Sequence, residues 1–158
     1  EKSAVNLIAQ YPNVVVVRTM SKAFAFAGAR VGYAVCNEAV VDAMLVTRLP
    51  YHLSSTTQAL ALVALDNSKA LLAEVDALIA ERDRVAAQLT KLGFEVSPSS
   101  ANFLLFSGFK GDSKTAWESL VAAGILVRDV GLSGYLRVTI GLPSENDEFL
   151  TAIAALRS

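Results

Sequence analysis

The chain has 158 residues, of which 53% are hydrophobic and 18% are charged, and its formal net charge is −1 at pH 7. This composition can fill a hydrophobic core and excludes a mostly disordered chain. Lysine and arginine are scattered and the net charge is near zero, so we expect neither a nucleic acid partner nor a membrane partner.

The cysteine and histidine counts exclude two kinds of site. Cys36 is the only cysteine and His52 the only histidine, so neither a disulfide within the chain nor a Cys/His zinc site can form. No apolar run approaches the roughly 18 residues of a membrane span. The first four residues do not resemble a signal peptide. A cytoplasmic protein is therefore expected.

The first half of the chain predicts two strands and two helices. Four consecutive valines in residues 13–19 indicate a strand buried on both faces, the pattern of a parallel sheet. A loop of small residues leads to a second apolar strand over 30–36. Asn37 is a suitable N-cap for the first helix, and residues 58–65 form a second apolar helical stretch. The apolar face of the first helix consists of Val40, Val41, Met44 and Leu45.

The longest periodic segment, residues 68–92, predicts a helix that Gly93 ends. At 1.5 Å per residue it would be roughly 38 Å long, which suits a helix that joins two lobes. We therefore place a domain boundary within it, with residues 1–75 in one domain and 76–158 in the other.

The second half of the chain alternates between strands and helices and predicts a compact α+β unit. Its last helix is expected to begin at Ser144, with Asp147 completing an imperfect capping box. The predicted strands cover 94–96, 102–106, 125–130 and 135–140, and another helix covers 113–123.

A cluster of polar residues follows the first predicted strand. Thr19, Ser21 and Lys22 lie where ligands collect in open α/β sheets, and Arg30 begins the next strand. Desolvation there would favour a neutral lysine amine, which can form an imine with an aldehyde. The hydroxyls and the guanidinium group would hold a phosphate. A solvated surface lysine and a strand-edge arginine are the alternatives.

Residues 18–33, RTMSKAFAFAGARVGY, resemble the cofactor-lysine segment of the class I and II aminotransferases, which are fold-type I enzymes that use pyridoxal 5′-phosphate (PLP). Ser21-Lys22 is followed by a small-residue loop and by Gly-x-Arg-x-Gly-Tyr at 28–33. Residues 48–58, RLPYHLSSTTQ, are similar to those of histidinol-phosphate aminotransferases in particular. The likeness extends over essentially the whole chain.

The resemblance implies an α/β fold and a set of residue roles. Residues 1–75 would be the end of a PLP-binding large domain with a mostly parallel sheet, joined by the long helix to a small α+β domain at 76–158. Lys22 would bind the cofactor covalently and then act as general acid and base. Ser21 and Arg30, with help from Thr19, would bind the cofactor phosphate.

Residues that would bind the substrate are also implied by the resemblance. Arg137, within YLRVTIG, would hold the substrate carboxylate, and Tyr51 would approach the phosphate of histidinol phosphate, across a dimer interface. Asn102 matches a family Asn-Phe pair, and its role is functional or structural. Arg128 is a second candidate for the anionic end of the substrate, unless Asp129 pairs with it. For Arg137, a solvent-facing strand position is the alternative.

The predicted strand over 135–140 has two different faces. Alternation places Leu136, Val138 and Ile140 on one face and Tyr135, Arg137 and Thr139 on the other.

The resemblance further implies a homodimer that transfers an amino group from a small-molecule donor to a 2-oxo acid. The aspartate and the aromatic residue that the family places around the pyridine ring lie upstream of the lysine segment, and neither has a counterpart here. We therefore expect a fragment that is inactive alone. The alternatives are an aromatic amino acid aminotransferase, a PLP-dependent amino acid phosphate decarboxylase, and a non-enzymatic dimerisation or interaction fragment.

Overall fold

The computed structural model describes residues 3–157, so residues 1 and 2, part of the stretch compared above with a signal peptide, lie outside it, as does residue 158. The chain divides into two compact units between Ala73 and Glu74, within its longest helix. Assigning residues 1–75 to a large domain and 76–158 to a small domain stays a prediction.

The first unit contains one sheet of two strands and two α-helices. The strands β1 and β2 are antiparallel, with Val16 opposite Val35 and Thr19 opposite Gly32. Two short 3-10 helices cover Ala4–Leu7 and Ala27–Ala29. The main elements are β1 (Val16–Thr19), β2 (Gly32–Val35), α1 (Glu38–Thr47) and α2 (Ser55–Asp66).

The prediction of a doubly buried strand in a parallel sheet is wrong for this chain. Among the described residues, β1 pairs only with β2, and the two strands run antiparallel. Val17 is 73% exposed, and of the eight paired residues only Val16 and Val35 are partly buried. Cys36, expected within the second strand, lies just after β2.

The two helices begin at side-chain caps but bury no residue. Asn37 Oδ1 accepts a hydrogen bond from Ala39 N at 3.1 Å, which confirms the predicted N-cap, and Ser54 Oγ accepts one from Thr57 N at 3.0 Å. Neither α1 nor α2 contains a buried residue, and Met20 is the single buried hydrophobic side chain described for this unit. The first unit therefore has almost no core of its own.

The second unit contains a four-stranded antiparallel sheet in the order β3-β4-β6-β5. Helix α3 (Ser68–Lys91) continues into this unit from the first, and it is followed by Gly93, whose φ of 84° confirms the predicted glycine cap. None of the described helices has the length and apolar content needed to cross a membrane. The remaining elements are β3 (Glu95–Val96), β4 (Phe103–Ser107), α4 (Ser113–Ala122), β5 (Arg128–Asp129), β6 (Tyr135–Thr139) and α5 (Pro143–Ala155).

One face of this sheet packs against the helices and forms the core. Alternate residues of β4 and β6 point to the same face, and Leu136, Val138 and Ile140 are buried as the alternation predicts. Phe106 contacts Phe94 in an edge-to-face arrangement with ring centroids 5.5 Å apart. The core also contains Val85 and Leu89 of α3, Leu120 of α4, and Phe149 and Ile153 of α5.

Two predicted boundaries in this unit are wrong. Helix α5 begins at Pro143 rather than at Ser144, because proline suits the first helical position and Glu145, three residues after Leu142, accepts a hydrogen bond from Leu142 N at 2.7 Å. Asp147 therefore does not complete the capping box. The strand expected over 125–130 is reduced to Arg128–Asp129, since only these residues pair with β6.

Candidate active site

The loop between β1 and β2, called here the lysine loop (residues 19–31), is closed by backbone hydrogen bonds. Met20 N donates to Val31 O at 3.1 Å, which extends the pairing of the two strands. Within the loop, Ala25 N donates to Lys22 O at 3.0 Å and forms a turn that begins at Lys22. The first and last residues of the loop therefore lie at the same end of the two-stranded sheet.

Two hydroxyl groups lie together at the start of this loop. Thr19 Oγ1 and Ser21 Oγ are 2.8 Å apart, and Ser21 N donates to Thr19 Oγ1 at 3.1 Å. Both hydroxyls lie at the end of β1, because the strand ends at Thr19 and the chain turns there. Hydroxyls in this arrangement can donate to the oxygens of an anion.

Arg30 ends the lysine loop in an unusual backbone conformation. Its φ is 56°, in the left-handed region that few residues other than glycine adopt. Its Nη1 donates to Ala27 O at 3.0 Å, and Arg30 has no ion-pair partner in residues 3–157. Most of the guanidinium donors thus remain available to an anion.

The side chain of Lys22 is exposed, so the burial predicted for it is not found in this chain. Only Met20 is buried nearby, since the rest of the loop consists mainly of small or partly exposed residues. Across the described part of the chain, no hydrogen bond or ion pair engages the Lys22 amine. The amine is therefore free to react with a ligand.

The donor set of the lysine loop fits a phosphorylated aldehyde. The Thr19–Ser21 hydroxyl pair and the Arg30 guanidinium group provide donors for phosphate oxygens, and Lys22 provides an unengaged amine for a carbonyl carbon. Thr19, Ser21 and Lys22 thus lie at the end of β1, and Arg30 lies just before β2, at the same end of the strand pair.

In the second unit, Arg137 is a half-buried residue of β6 that lies over an aromatic ring. Its guanidinium carbon is 4.8 Å from the centroid of the Phe103 ring. Its Nε is buried and has no hydrogen-bond partner among the described atoms. An unsatisfied buried donor carries a free-energy cost, and an anionic ligand would remove it.

Arg128 lies directly opposite Arg137 on the neighbouring strand β5. The pairing with Asp129 considered above is not found, because adjacent strand residues point to opposite faces and Asp129 Oδ1 instead accepts from Gly131 N at 2.8 Å. Like charges directly opposite each other are destabilising unless an anion lies between them. Sequence reasoning did not identify this pair or the Phe103 stacking, since both depend on strand register.

Tyr51 and Asn102 have different surroundings. Tyr51 is 98% exposed and has a φ of 56°, so its ring is presented to solvent from a strained backbone position. A shallow pocket beside it is lined by Arg48, His52 and Gln58, with Arg48 Nη1 3.1 Å from His52 Nδ1. Asn102 O accepts from Ile140 N at 3.0 Å, and this is a structural backbone contact.

Residues 1–153 match the family described as Aminotransferase class I and II. A histidinol-phosphate aminotransferase from Mycobacterium sp. (strain JLS) is 59% identical over 157 residues, which cover 99% of this chain and 41% of that protein. The chain therefore spans less than half the length of this relative.

Solved structures of longer proteins have the same fold. The histidinol-phosphate aminotransferase from Clostridium acetobutylicum has a TM-score of 0.88 and 25% identity, covering 98% of this chain and 49% of that one. A decarboxylase from Sulfurospirillum multivorans has a TM-score of 0.85 and 27% identity, covering 99% and 47%. With the family match across nearly its whole length, this chain belongs to the class I and II aminotransferase family.

Proposed function

We propose that this chain is the lysine-bearing part of a PLP-dependent enzyme that transfers an amino group from histidinol phosphate to 2-oxoglutarate. The observation that carries the proposal is the unengaged amine of Lys22 beside the Thr19–Ser21 hydroxyl pair, with Arg30 at the matching end of the loop. The products would be imidazole acetol phosphate and glutamate, in a step of histidine biosynthesis.

When bound, PLP supplies the electron sink for the reaction. The hydroxyls of Thr19 and Ser21 would donate hydrogen bonds to its phosphate, and the guanidinium group of Arg30 would neutralise the phosphate charge. Lys22 would hold the cofactor covalently, and its amine would act as the general base that takes the proton from the substrate Cα and as the general acid that returns it.

The choice of substrate is supported by the relative that is 59% identical and by the arginine pair of the second unit. Histidinol phosphate carries a phosphate, and glutamate carries two carboxylates, so both half-reactions require anion recognition. Arg137 would hold the anion nearest the reacting carbon and Arg128 a second oxygen. Tyr51, which is fully presented to solvent, would reach the substrate phosphate from the neighbouring subunit of a homodimer.

The isolated 158-residue chain is proposed to be inactive. It spans 41% of the length of the relative named above, and Lys22 is exposed in the lysine loop. Within the described residues, Lys22 also forms no ion pair with a carboxylate and no cation–π contact with an aromatic ring. A dimerisation or interaction fragment is the non-enzymatic alternative, and cytoplasmic location stays a prediction.

A decarboxylase is the second candidate, because the solved decarboxylase structure aligns with almost the whole chain. The two reactions differ in their products, since decarboxylation of an amino acid phosphate removes one carbon and transamination removes none. An aromatic amino acid aminotransferase differs only in the donor. Assaying the full-length enzyme with histidinol phosphate, with phenylalanine and with an amino acid phosphate separates the three.

The central test is borohydride reduction of the full-length enzyme with PLP, followed by peptide mapping. We expect a phosphopyridoxyl group on Lys22. Lys22→Ala should lose the label and about 10²- to 10⁴-fold of the turnover of histidinol phosphate. The matched control Lys69→Ala, an exposed lysine of α3, should keep both. Labelling of another lysine would overturn the proposal, and turnover by the 158-residue chain alone would overturn its inactivity.

A further inference from the structure

Asn146, at the start of α5, is a buried polar residue that the proposed reaction does not use. Its side chain is 2% exposed, and both of its polar atoms are engaged. Oδ1 accepts from Gly141 N at 3.1 Å, and Nδ2 donates to Gly141 O at 3.0 Å. The amide therefore holds both backbone groups of one residue, as a neighbouring strand would.

Gly141 follows the end of β6, the strand that carries Arg137. On one side of it, Ile140 N donates to Asn102 O at 3.0 Å, and on the other, Leu142 N donates to Glu145 Oε2 at 2.7 Å. Three consecutive residues, 140–142, are thus held through their backbone amides. A strand end held at each residue has little freedom to slide or twist.

The same amide of Asn146 ties this strand end to α3. Nδ2 also donates to Glu81 Oε1 at 3.0 Å. Glu81 is in turn fixed by Arg84, whose Nε and Nη2 donate to its two oxygens at 2.8 and 2.6 Å. Arg84 Nη2 reaches Asp147 Oδ1 at 2.7 Å, which returns the connection to α5.

A neighbouring residue of α3 holds the strand beside β6. Arg82 Nη1 donates to Ala101 O at 3.3 Å, just before β4, which carries the Phe103 ring under Arg137. The segment of α3 from Glu81 to Arg84 thus sets both the end of β6 and the start of β4.

We propose that Asn146 is a positioning residue for substrate binding. By clamping Gly141 to Glu81, it fixes β6 and so holds the Arg137 guanidinium over Phe103. The inference rests on the proposed role of Arg137 in binding the substrate anion. A displacement of the guanidinium group by a fraction of an ångström weakens its bidentate hydrogen bonds.

The test uses the full-length enzyme with histidinol phosphate and glutamate as substrates. Asn146→Ala should raise the KM for both by about tenfold, with kcat and PLP affinity changed by less than about twofold. Asn146→Asp should raise KM as well, because its carboxylate faces that of Glu81. Adding Glu81→Gln lets residue 81 donate to the new carboxylate and should lower KM only in part, because no donor then faces Gly141 O.

Two further variants make the result decisive. Leu120→Ala removes a fully buried side chain of α4 and should lower the melting temperature while leaving KM unchanged. Arg137→Lys tests the assumption beneath the inference and should raise KM by about tenfold or more. A raised KM in Arg137→Lys with an unchanged KM in Asn146→Ala overturns the positioning role alone. An equal rise of KM in Leu120→Ala overturns it too. If Arg137→Lys leaves KM unchanged, the proposed role of Arg137 is wrong, and the positioning role of Asn146 is wrong with it.

Discussion

At Gly32 the backbones of β1 and β2 approach so closely that there is no room for a side chain. A Cβ at this position would be 2.6 Å from the carbonyl oxygen of Arg18. Because that oxygen belongs to the backbone, the strand itself would have to move. The second glycine of the Gly-x-Arg-x-Gly pattern is therefore required for steric reasons. It allows β2 to pair closely with the end of β1, where the lysine loop begins.

Gly32→Ala should lower the stability of the full-length enzyme by about 1–3 kcal/mol, because the added methyl group pushes β2 from β1. The matched control is Gly28→Ala, where a Cβ would meet no atom of this chain within 4 Å. We expect the control to be neutral or slightly stabilising. Thermal unfolding of both variants without added PLP measures the difference, and equal melting temperatures would rule out the steric explanation.

At the scale of elements, helices α3 and α5 are joined by charged side chains rather than by apolar contacts alone. Hydrogen bonds from Arg84 hold the pKa of Glu81 below its usual range, although burial acts to raise it, and the bond from Asn146 lowers it further. The hydrogen bonds that Arg84 donates to Glu81 and Asp147 raise the pKa of Arg84 in turn. The junction of the two helices is therefore built around the ionised carboxylate.

This junction should weaken in acid. A carboxylate with a lowered pKa in the folded state contributes stability above its unfolded pKa, near 4.5, and loses that contribution as the pH falls through the lower folded value. Glu81→Gln should therefore be less stable than the wild type at pH 7, and the two should converge below pH 4.5. For the exposed control Glu118→Gln, the difference in stability from the wild type should not change with pH. Hydrogen exchange of the α5 amides from pH 7 to 3 measures these stabilities. A difference between Glu81→Gln and the wild type that stays constant over this range would contradict the prediction.

For the molecule as a whole, apolar burial is very unequally distributed. The core cluster lies entirely within residues 85–153. In contrast, α1 and α2 expose large apolar side chains, among them Val46 at 87%, Leu62 at 63% and Val63 at 56%. Helices of this length without a buried face are marginally stable in water.

Hydrogen exchange should therefore separate the two units in the isolated chain. We expect slow exchange in β4, β6 and α5, and fast exchange in α1 and α2, since local stability follows the number of buried apolar contacts. In the full-length enzyme, α1 and α2 should become protected. Equal protection of α2 and α5 in the isolated chain would show that the first unit has a source of stability beyond its own packing.

Local patterns predicted much of this structure. The apolar periodicity of residues 68–92 predicted α3 to within one residue of its end, and the alternation around Arg137 predicted which side chains of β6 are buried. The Ser-Lys and Gly-x-Arg-x-Gly patterns identified the lysine loop. All of these features depend on neighbours close in sequence, so the sequence alone is sufficient to indicate them.

Other features depend on residues that are distant in sequence. The sequence by itself determined the family, the lysine loop and the helical periods, because each is encoded within a short stretch of chain. Only the tertiary structure decided that Arg128 faces Arg137, that Arg137 lies over Phe103 and that Asn146 clamps Gly141 to Glu81. Strand register and the packing of α3 on α5 set these contacts, and both follow from the summed burial of the whole core rather than from any local pattern.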